Sequence, residues 1–506
     1  MNVRDEHTRS LWMDVRVAEA PSLSRSERAD VVVVGSGIAG LSVAYELVSR
    51  GRSVIVLDRG SIGSGMTART TAHLSSSIDD SYETLIELRG VEQARLYYQS
   101  QEAAIARIES NAQQGRMDCD FRRVDAYLFV APGSDPRELD REYEASHAAG
   151  MRTQWTDEAP LRAQSTGRCL RFPNQARVHP LKYLHGLASR ITQRGGRLYA
   201  NTRVDKVEES GSGVVVTTAA GHQVKAQAAV VATNSPINDL VAIHTKQAPY
   251  RTYAFAAEMA SGAVPDALYW DTYDPYHYVR LQPGANGKDF LIVGGGDHKT
   301  GEADDQEARF AALEAWARDW FPEMGKITHR WSGQVYEPID AVGFVGLNPG
   351  SKRTYICTGD SGEGITNGAM AGLLISGLIL DGKSDWAEVY EPSRKPLRAT
   401  GTFLEENLTM LKNLSEHVRP GDVSSVDQLK PGEGAIVRSG LKKVAAFRDE
   451  SGQLHLRSAV CTHLGCVVHW NPFEKCWDCP CHGSQFSTDG EALQGPAVSS
   501  LGEEAL

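Results

Sequence analysis

Two short arms near the end of the chain carry the side chains best suited to holding a metal. The first is Cys461-Thr462-His463-Leu464-Gly465-Cys466 and the second Cys479-Pro480-Cys481-His482-Gly483-Ser484. Cys461, His463, Cys479 and His482 together offer two thiolates and two imidazoles. That donor set suits a [2Fe–2S] centre in which two Cys hold one iron and two His the other, a carrier of single electrons. It also meets the donor count of a Cys2His2 zinc site. Cys466 and Cys481 lie within the same two arms.

A second redox signature lies near the other end. Ala29-Asp30-Val31-Val32-Val33-Val34 closes on an unbroken β-branched run, the pattern of a strand buried on both faces. Gly35-Ser36-Gly37-Ile38-Ala39-Gly40 follows at once. Leu41, Ala44, Tyr45, Leu47 and Val48 then recur at helical spacing up to Gly51, and Ser53-Val54-Ile55-Val56-Leu57 forms a second strand ending at Asp58. Strand, glycine turn, helix, strand and acid in that order form a dinucleotide-binding unit. Gly35 permits the tight turn, Gly37 lets backbone approach a pyrophosphate at the helix N-terminus, and Gly40 lets the helix lie close to the sheet. Asp58 is placed to bind ribose hydroxyls.

These parts need scaffolding, and the chain has enough of it. Its 506 residues suffice for two or three domains. A net charge of −11, with no basic stripe, argues against a nucleic-acid partner. The first 28 residues mix charges throughout and hold no apolar signal core. The longest apolar run, Ala369 to Leu380, is too short to span a bilayer and reads as a buried helix. The expected location is the cytoplasm, with no membrane span. The eight cysteines do not form the framework of a secreted disulfide-rich domain.

Further glycine-rich segments extend the first signature. Gly60-Ser61-Ile62-Gly63-Ser64-Gly65-Met66-Thr67 leads to Arg69, Thr70, Thr71 and His73. Val204-Asp205-Lys206-Val207 and Ala229-Val230-Val231-Ala232-Thr233-Asn234 come later. Tyr355-Ile356-Cys357-Thr358-Gly359-Asp360-Ser361-Gly362-Glu363-Gly364-Ile365-Thr366-Asn367 reads as strand, turn and helix start. This arrangement, over about residues 29 to 395, resembles the D-amino-acid oxidase-like FAD-dependent oxidoreductases. The resemblance implies that Gly35, Gly37, Ile38, Ala39, Gly40, Asp58 and Arg59 hold the ADP half of FAD, with Val204 and Thr233 beside it. It implies contacts to the rest of the cofactor from Thr67, Arg69, Thr70, Thr71 and His73. Gly359, Gly362, Gly364, Ile365 and Thr366 would bring a helix N-terminus to the flavin, whose reduced, negative form it would stabilise.

The two arms resemble the cytochrome bc-type Rieske subclass over about residues 424 to 506. The resemblance implies a bridge between Cys466 and Cys481 and a proline loop at Gly495-Pro496-Ala497. In the high-potential members a Ser and a Tyr donate hydrogen bonds to the cluster's sulfurs. Here Ser484 is kept, but Phe486 has no hydroxyl. Phe486→Tyr should therefore raise the midpoint potential within the roughly −150 to +300 mV range of such clusters. An unchanged or lower potential by redox titration would contradict this.

The implied architecture is an α/β FAD-binding Rossmann-like domain with an interleaved α+β substrate domain on a mixed sheet, plus a small all-β C-terminal Rieske domain. The expected divisions are an N-terminal segment (1–28), the oxidoreductase (29–395), a connector (396–423) and the Rieske domain (424–506). Within the oxidoreductase, FAD binding falls to about 29–88, 181–244 and 336–395, and the substrate part to about 89–180 and 245–335. A helix is expected over Phe403 to Leu414.

Tyr276, Tyr278 and Arg280 are the candidates for the substrate pocket. Amino-acid oxidases of the resembled family place a carboxylate-binding Arg after a Trp-x-Gly element. Here Trp331-Ser332-Gly333 is followed by Gln334, Val335, Tyr336 and Glu337, so an amine is at least as suitable a substrate as an amino acid. The expected activity is oxidation of such a small molecule by hydride transfer to FAD, with electrons leaving singly through the cluster to an unnamed acceptor. Two other readings stand beside it: an NAD(P)H-dependent reductase feeding a partner protein, and a non-enzymatic redox sensor. A second dinucleotide motif is not found, since Gly294-Gly295-Gly296-Asp297 lacks the spacing and the helix.

Overall fold

A computed structural model of the chain describes residues 7–161, 164–238, 243–395, 399, 413 and 415–505. Apart from Asn413, the helix expected over Phe403 to Leu414 lies outside them.

The valine run at 31–34 is buried on both faces and becomes the middle of a six-stranded sheet. Val31–Val34 pairs in parallel with Val54–Leu57 on one side and Ala228–Val231 on the other. Arg197–Tyr199 and Thr354–Thr358 extend the parallel set, and Phe344–Leu347 closes it antiparallel. Helix Ile38–Ser49 rises from the glycine turn and packs against helix Gly364–Asp381. Contact is close because Gly368 and Gly372 leave no room for a Cβ beside Ile38 and Ser42. Gly364–Asp381 has the length and apolarity of a membrane span, more than the shorter run read from sequence. Its residues from Ile365 to Gly372 are nonetheless buried inside the protein, as expected of a core helix.

The second large sheet has nine strands and is mixed. It begins with the long antiparallel trio Ile327–Pro338, at one edge, Gln247–Ala260 and Lys288–Lys299. Tyr278–Pro283, Leu268–Asp271, Arg122–Phe129 and Cys169–Arg177 follow, with the short strand His73–Leu74 at the far edge. His73 thus belongs to this sheet rather than to the nucleotide-binding loops. Gly294 faces Tyr278 across the ladder, and a Cβ there would lie 2.2 Å from the tyrosine ring. The glycine run is therefore a seat for an aromatic ring, not a phosphate loop.

The C-terminal part is all β. Gly434–Ser439, Lys442–Arg448 and Leu454–Ser458 form one antiparallel sheet. His469–Asn471, Cys476–Asp478, Gln485–Phe486 and Ala492–Gln494 form another. It docks on the oxidoreductase part through two ion pairs whose side chains are almost wholly buried, Arg69–Glu474 at 3.0 Å and, on the mixed sheet, Arg251–Asp478 at 3.1 Å. Glu474 also accepts hydrogen bonds from Thr8 N and Oγ1 and from Ser332 N and Oγ. Breaking such a pair from one side leaves a buried, uncompensated charge. Glu474→Gln should therefore lower stability by about 3 kcal/mol or more, read as a clear fall in Tm. A Tm equal to that of the unaltered protein would show that this junction contributes little.

Candidate functional site

The glycine turn, the second acid and the late helix start converge on one cavity of about 800 Å³. Gly35, Gly37, Ile38, Ala39, Asp58, Arg59, Thr67, Arg69, Thr70, Thr71, His73, Val204, Thr233, Gly359, Gly362, Gly364 and Ile365 line it. The close approaches are those a dinucleotide needs. Gly35 has φ +104°, and a Cβ on it would stand 2.2 Å from Ala232 O. A Cβ on Gly40 would stand 2.0 Å from Gly35 O, so Gly40 serves the turn from behind rather than lining the cavity. Asp58 Oδ2 accepts from Ser36 N at 2.7 Å and Ser36 Oγ at 2.6 Å. It is thereby fixed at the end of the second strand, where ribose hydroxyls would lie. These residues fit FAD.

Two expected contacts fall elsewhere. Thr366 does not line the cavity; its Oγ1 donates to Glu363 O. Arg280 also stays out of it. Its guanidinium donates to Ala72 O at 2.6 Å, Val178 O at 3.1 Å and Gln282 Oε1 at 2.6 Å, and it lies over the Trp12 ring. Arg280 ties three segments together and is not placed to grip a substrate carboxylate. Arg69 lines the cavity, but its guanidinium is committed to Glu474, Thr8 and Ser332 O. Tyr276 and Tyr278 do line the cavity. Tyr276 Oη donates to Asp79, and Tyr278 Oη pairs with Thr252 Oγ1 at 2.7 Å. Burial and the nearby Arg280 push His73 down to about 3, so this ring is neutral.

The feature that sequence reading missed is a set of carboxylates in the same cavity. Asp79, Asp297, Asp360 and Glu363 come from three places along the chain and all line it. Burial, then repulsion from Asp80, raises Asp79 to about 8 although Tyr276 donates to it. Burial raises Asp297 and Asp360 to about 6 each, and burial with the charge of Asp79 raises Glu363 well above the carboxylate range. Oδ1 of Asp297 and of Asp360 accept no hydrogen bond among the described residues. Burial and mutual repulsion make these acids hold their protons, and a cation brought among them would favour their ionised forms.

At the other wall the cavity meets the C-terminal domain. Gln494, Gly495, Ala497 and Val498 line it directly. Behind them the two arms come together. The imidazole rings of His463 and His482 lie 4.9 Å apart, and a hydrogen bond between the Cys461 and Cys479 thiols holds Cys461 below its ordinary range. His482 is buried, and its Nδ1 has no hydrogen-bond partner among the described residues. Cys466 and Cys481 are joined in a disulfide that ties the two arms. It removes those two sulfurs from any ligand set and leaves the two thiols and two imidazoles a [2Fe–2S] cluster requires. Ser484 Oγ accepts from Ala497 N at 3.0 Å and hydrogen-bonds Cys461, whereas Phe486 is wholly buried.

Comparison with known proteins agrees with both halves. The family described as FAD dependent oxidoreductase matches residues 30–378, and that described as Rieske [2Fe-2S] domain matches residues 420–503. The chain belongs to the FAD-dependent oxidoreductases and carries a Rieske domain. A Bacillus subtilis (strain 168) protein, named as the Rieske 2Fe-2S iron-sulfur protein YhfW, is 31% identical over 487 residues, covering 95% of this chain and 94% of that protein. The gamma-glutamylputrescine oxidoreductase of Escherichia coli (strain K12) is 27% identical, over 74% of this chain and 89% of its own length. In fold, glycine oxidase from Geobacillus kaustophilus superposes with a TM-score of 0.61 at 18% identity, covering 73% of this chain and 99% of that one. This FAD-dependent oxidoreductase thus has an amino-acid-oxidase fold, a [2Fe–2S] site and a cofactor cavity that buries several carboxylates.

Proposed function

We propose that the protein oxidises a small amine and passes the electrons one at a time through its Rieske cluster to a separate one-electron acceptor. One observation carries the reading: Asp79, Asp297, Asp360 and Glu363 share the FAD cavity, while two of the arginines that line it, Arg69 and Arg203, are paired with Glu474 and Asp205. Arg59 neighbours Asp58 and Arg203. In their ionised forms the four acids attract an ammonium group and repel a carboxylate, and a bound ammonium in turn favours that ionisation. The relative named for gamma-glutamylputrescine supports an amine as well.

FAD, when bound, supplies the acceptor for a hydride from the carbon beside the amine nitrogen. The chain's own residues do the rest. An ammonium bound among the acids must lose a proton before its neighbouring C–H bond can give up a hydride. Asp79, raised to about 8, has the affinity of a general base working near neutral pH. Tyr276 holds it in place through its hydroxyl. Tyr278 and the neutral His73 ring, edge to face with centroids 5.6 Å apart, wall the cavity without adding charge.

The test is anaerobic mixing with a panel of amines, amino acids, NADH and NADPH, following flavin bleaching by absorbance and the reduced cluster by EPR. Amines should bleach the flavin and bring up the cluster signal. Bleaching by a nicotinamide nucleotide with none by any amine would overturn the proposal in favour of a reductase.

A further inference from the structure

We propose that strand Ile327–Pro338 and the segment 494–497 form a fixed junction carrying electrons from the FAD cavity to the cluster within one chain, with Tyr336 as its positioning residue. The inference rests on the reading that reduced FAD feeds the cluster.

The strand stands between the two sites. Gly333, Gln334, Val335 and Glu337 line the FAD cavity. Tyr336, wholly buried, turns the other way, and its hydroxyl reaches His482 O at 3.1 Å and Gly495 O at 3.3 Å. Gln334 Nε2 donates to Gly483 O at 2.9 Å, and its Oε1 accepts from Gln494 Nε2 at 2.7 Å. The fit is tight: a Cβ on Gly483 would stand 2.4 Å from Gln334 Nε2 and 2.7 Å from Tyr336 Oη. From the cavity wall a short chain of contacts then runs to a ligand, Ala497 N to Ser484 Oγ and Ser484 to the Cys461 thiol. His244 of the FAD-binding part closes the same junction, its ring 5.0 Å from that of His463 and 5.8 Å from that of His482. The buried Arg69–Glu474 and Arg251–Asp478 pairs hold the two parts together.

The electron count is simple. With both groups bound, amine oxidation would deliver two electrons at once, of which the cluster held by Cys461, His463, Cys479 and His482 would accept one, a ferric iron becoming ferrous. The flavin proton leaves to solvent. The second electron follows once a one-electron acceptor has reoxidised the cluster.

The experiment uses the full-length holoprotein under anaerobic conditions. A light pulse with deazaflavin and EDTA reduces the flavin, and absorbance then follows the cluster. Light replaces the amine, so an error in the substrate reading leaves the result untouched. The expected transfer is first order at a rate independent of protein concentration. Tyr336→Phe should slow it roughly tenfold, about the weight of one hydrogen bond, and shift the EPR g values of the reduced cluster. Flavin photoreduction should be unchanged in that variant. A rate proportional to protein concentration would overturn the proposal, as would a Tyr336→Phe protein with normal rate and spectrum. Should that variant lose its cluster, the concentration dependence of the unaltered protein still decides.

Discussion

His482→Ala should give a protein that its substrate still reduces but that no longer passes electrons on. FAD binding and anaerobic flavin bleaching should match the unaltered protein, the EPR signal of the reduced cluster should vanish, and turnover with ferricyanide should fall on the order of 10²-fold, about 2.7 kcal/mol of barrier. The separation is expected because the imidazole and the loop's anchors are different atoms. The His482 carbonyl, not its ring, accepts from Tyr336, and Gly483 O accepts from Gln334. The Cys466–Cys481 bridge and the Arg251–Asp478 pair lie outside the ligand set. The substitution therefore removes a ligand while the loop stays docked. Ferricyanide turnover at the unaltered rate, in protein shown by iron assay to lack the cluster, would mean that electrons leave the flavin without passing through it.

The two cofactor sites were legible in the sequence because each is built from residues close together in the chain. The cluster arms bring ligands, bridging cysteines and loop within 36 residues, from Cys461 to Pro496. The dinucleotide unit is one strand–turn–helix–strand run whose glycines are dictated by contacts such as Gly35 with Ala232 O. The acid-lined pocket has no such local signature. Asp79 follows the edge strand His73–Leu74, Asp297 lies near the end of a long strand of the mixed sheet, and Asp360 and Glu363 sit among glycines already accounted for as a helix entry. Only sheet register brings them to one cavity. Arg280 shows the converse. It alternates with Tyr278 on the same strand, so period-two reasoning gives both the same face. Two residues further along, that face is covered by the chain at Thr71, Ala72 and Val178, whose carbonyls take up the guanidinium. The docking surface was equally hidden: Gln334, Tyr336, His244 and Glu474 are ordinary residues until two separate folds meet.

The substitution with the largest expected effect on substrate use is Asp79→Asn. Removing one partner of a desolvated charge pair costs about 2–5 kcal/mol, so kcat/KM for an amine should fall by on the order of 10²-fold or more, with Asp79→Glu recovering part of it. The pH profile carries the sign. Asp79 is raised to about 8 by burial and by Asp80, so in the unaltered protein kcat/KM for a cationic amine should climb as pH rises through about 8 and the carboxylate forms. In Asp79→Asn that limb should be missing. Stability should run the other way. A carboxyl whose folded value lies above its unfolded one holds its proton more tightly when folded, and the protein loses stability as pH rises from about 4 to about 8. Asp79→Asn should thus unfold at a higher Tm than the unaltered protein at pH 9, and the two should converge near pH 4. A variant that loses both activity and stability at pH 9 would make Asp79 a structural residue. One that gains stability as it loses amine oxidation would show that the protein tolerates a costly buried acid because the substrate's charge requires it.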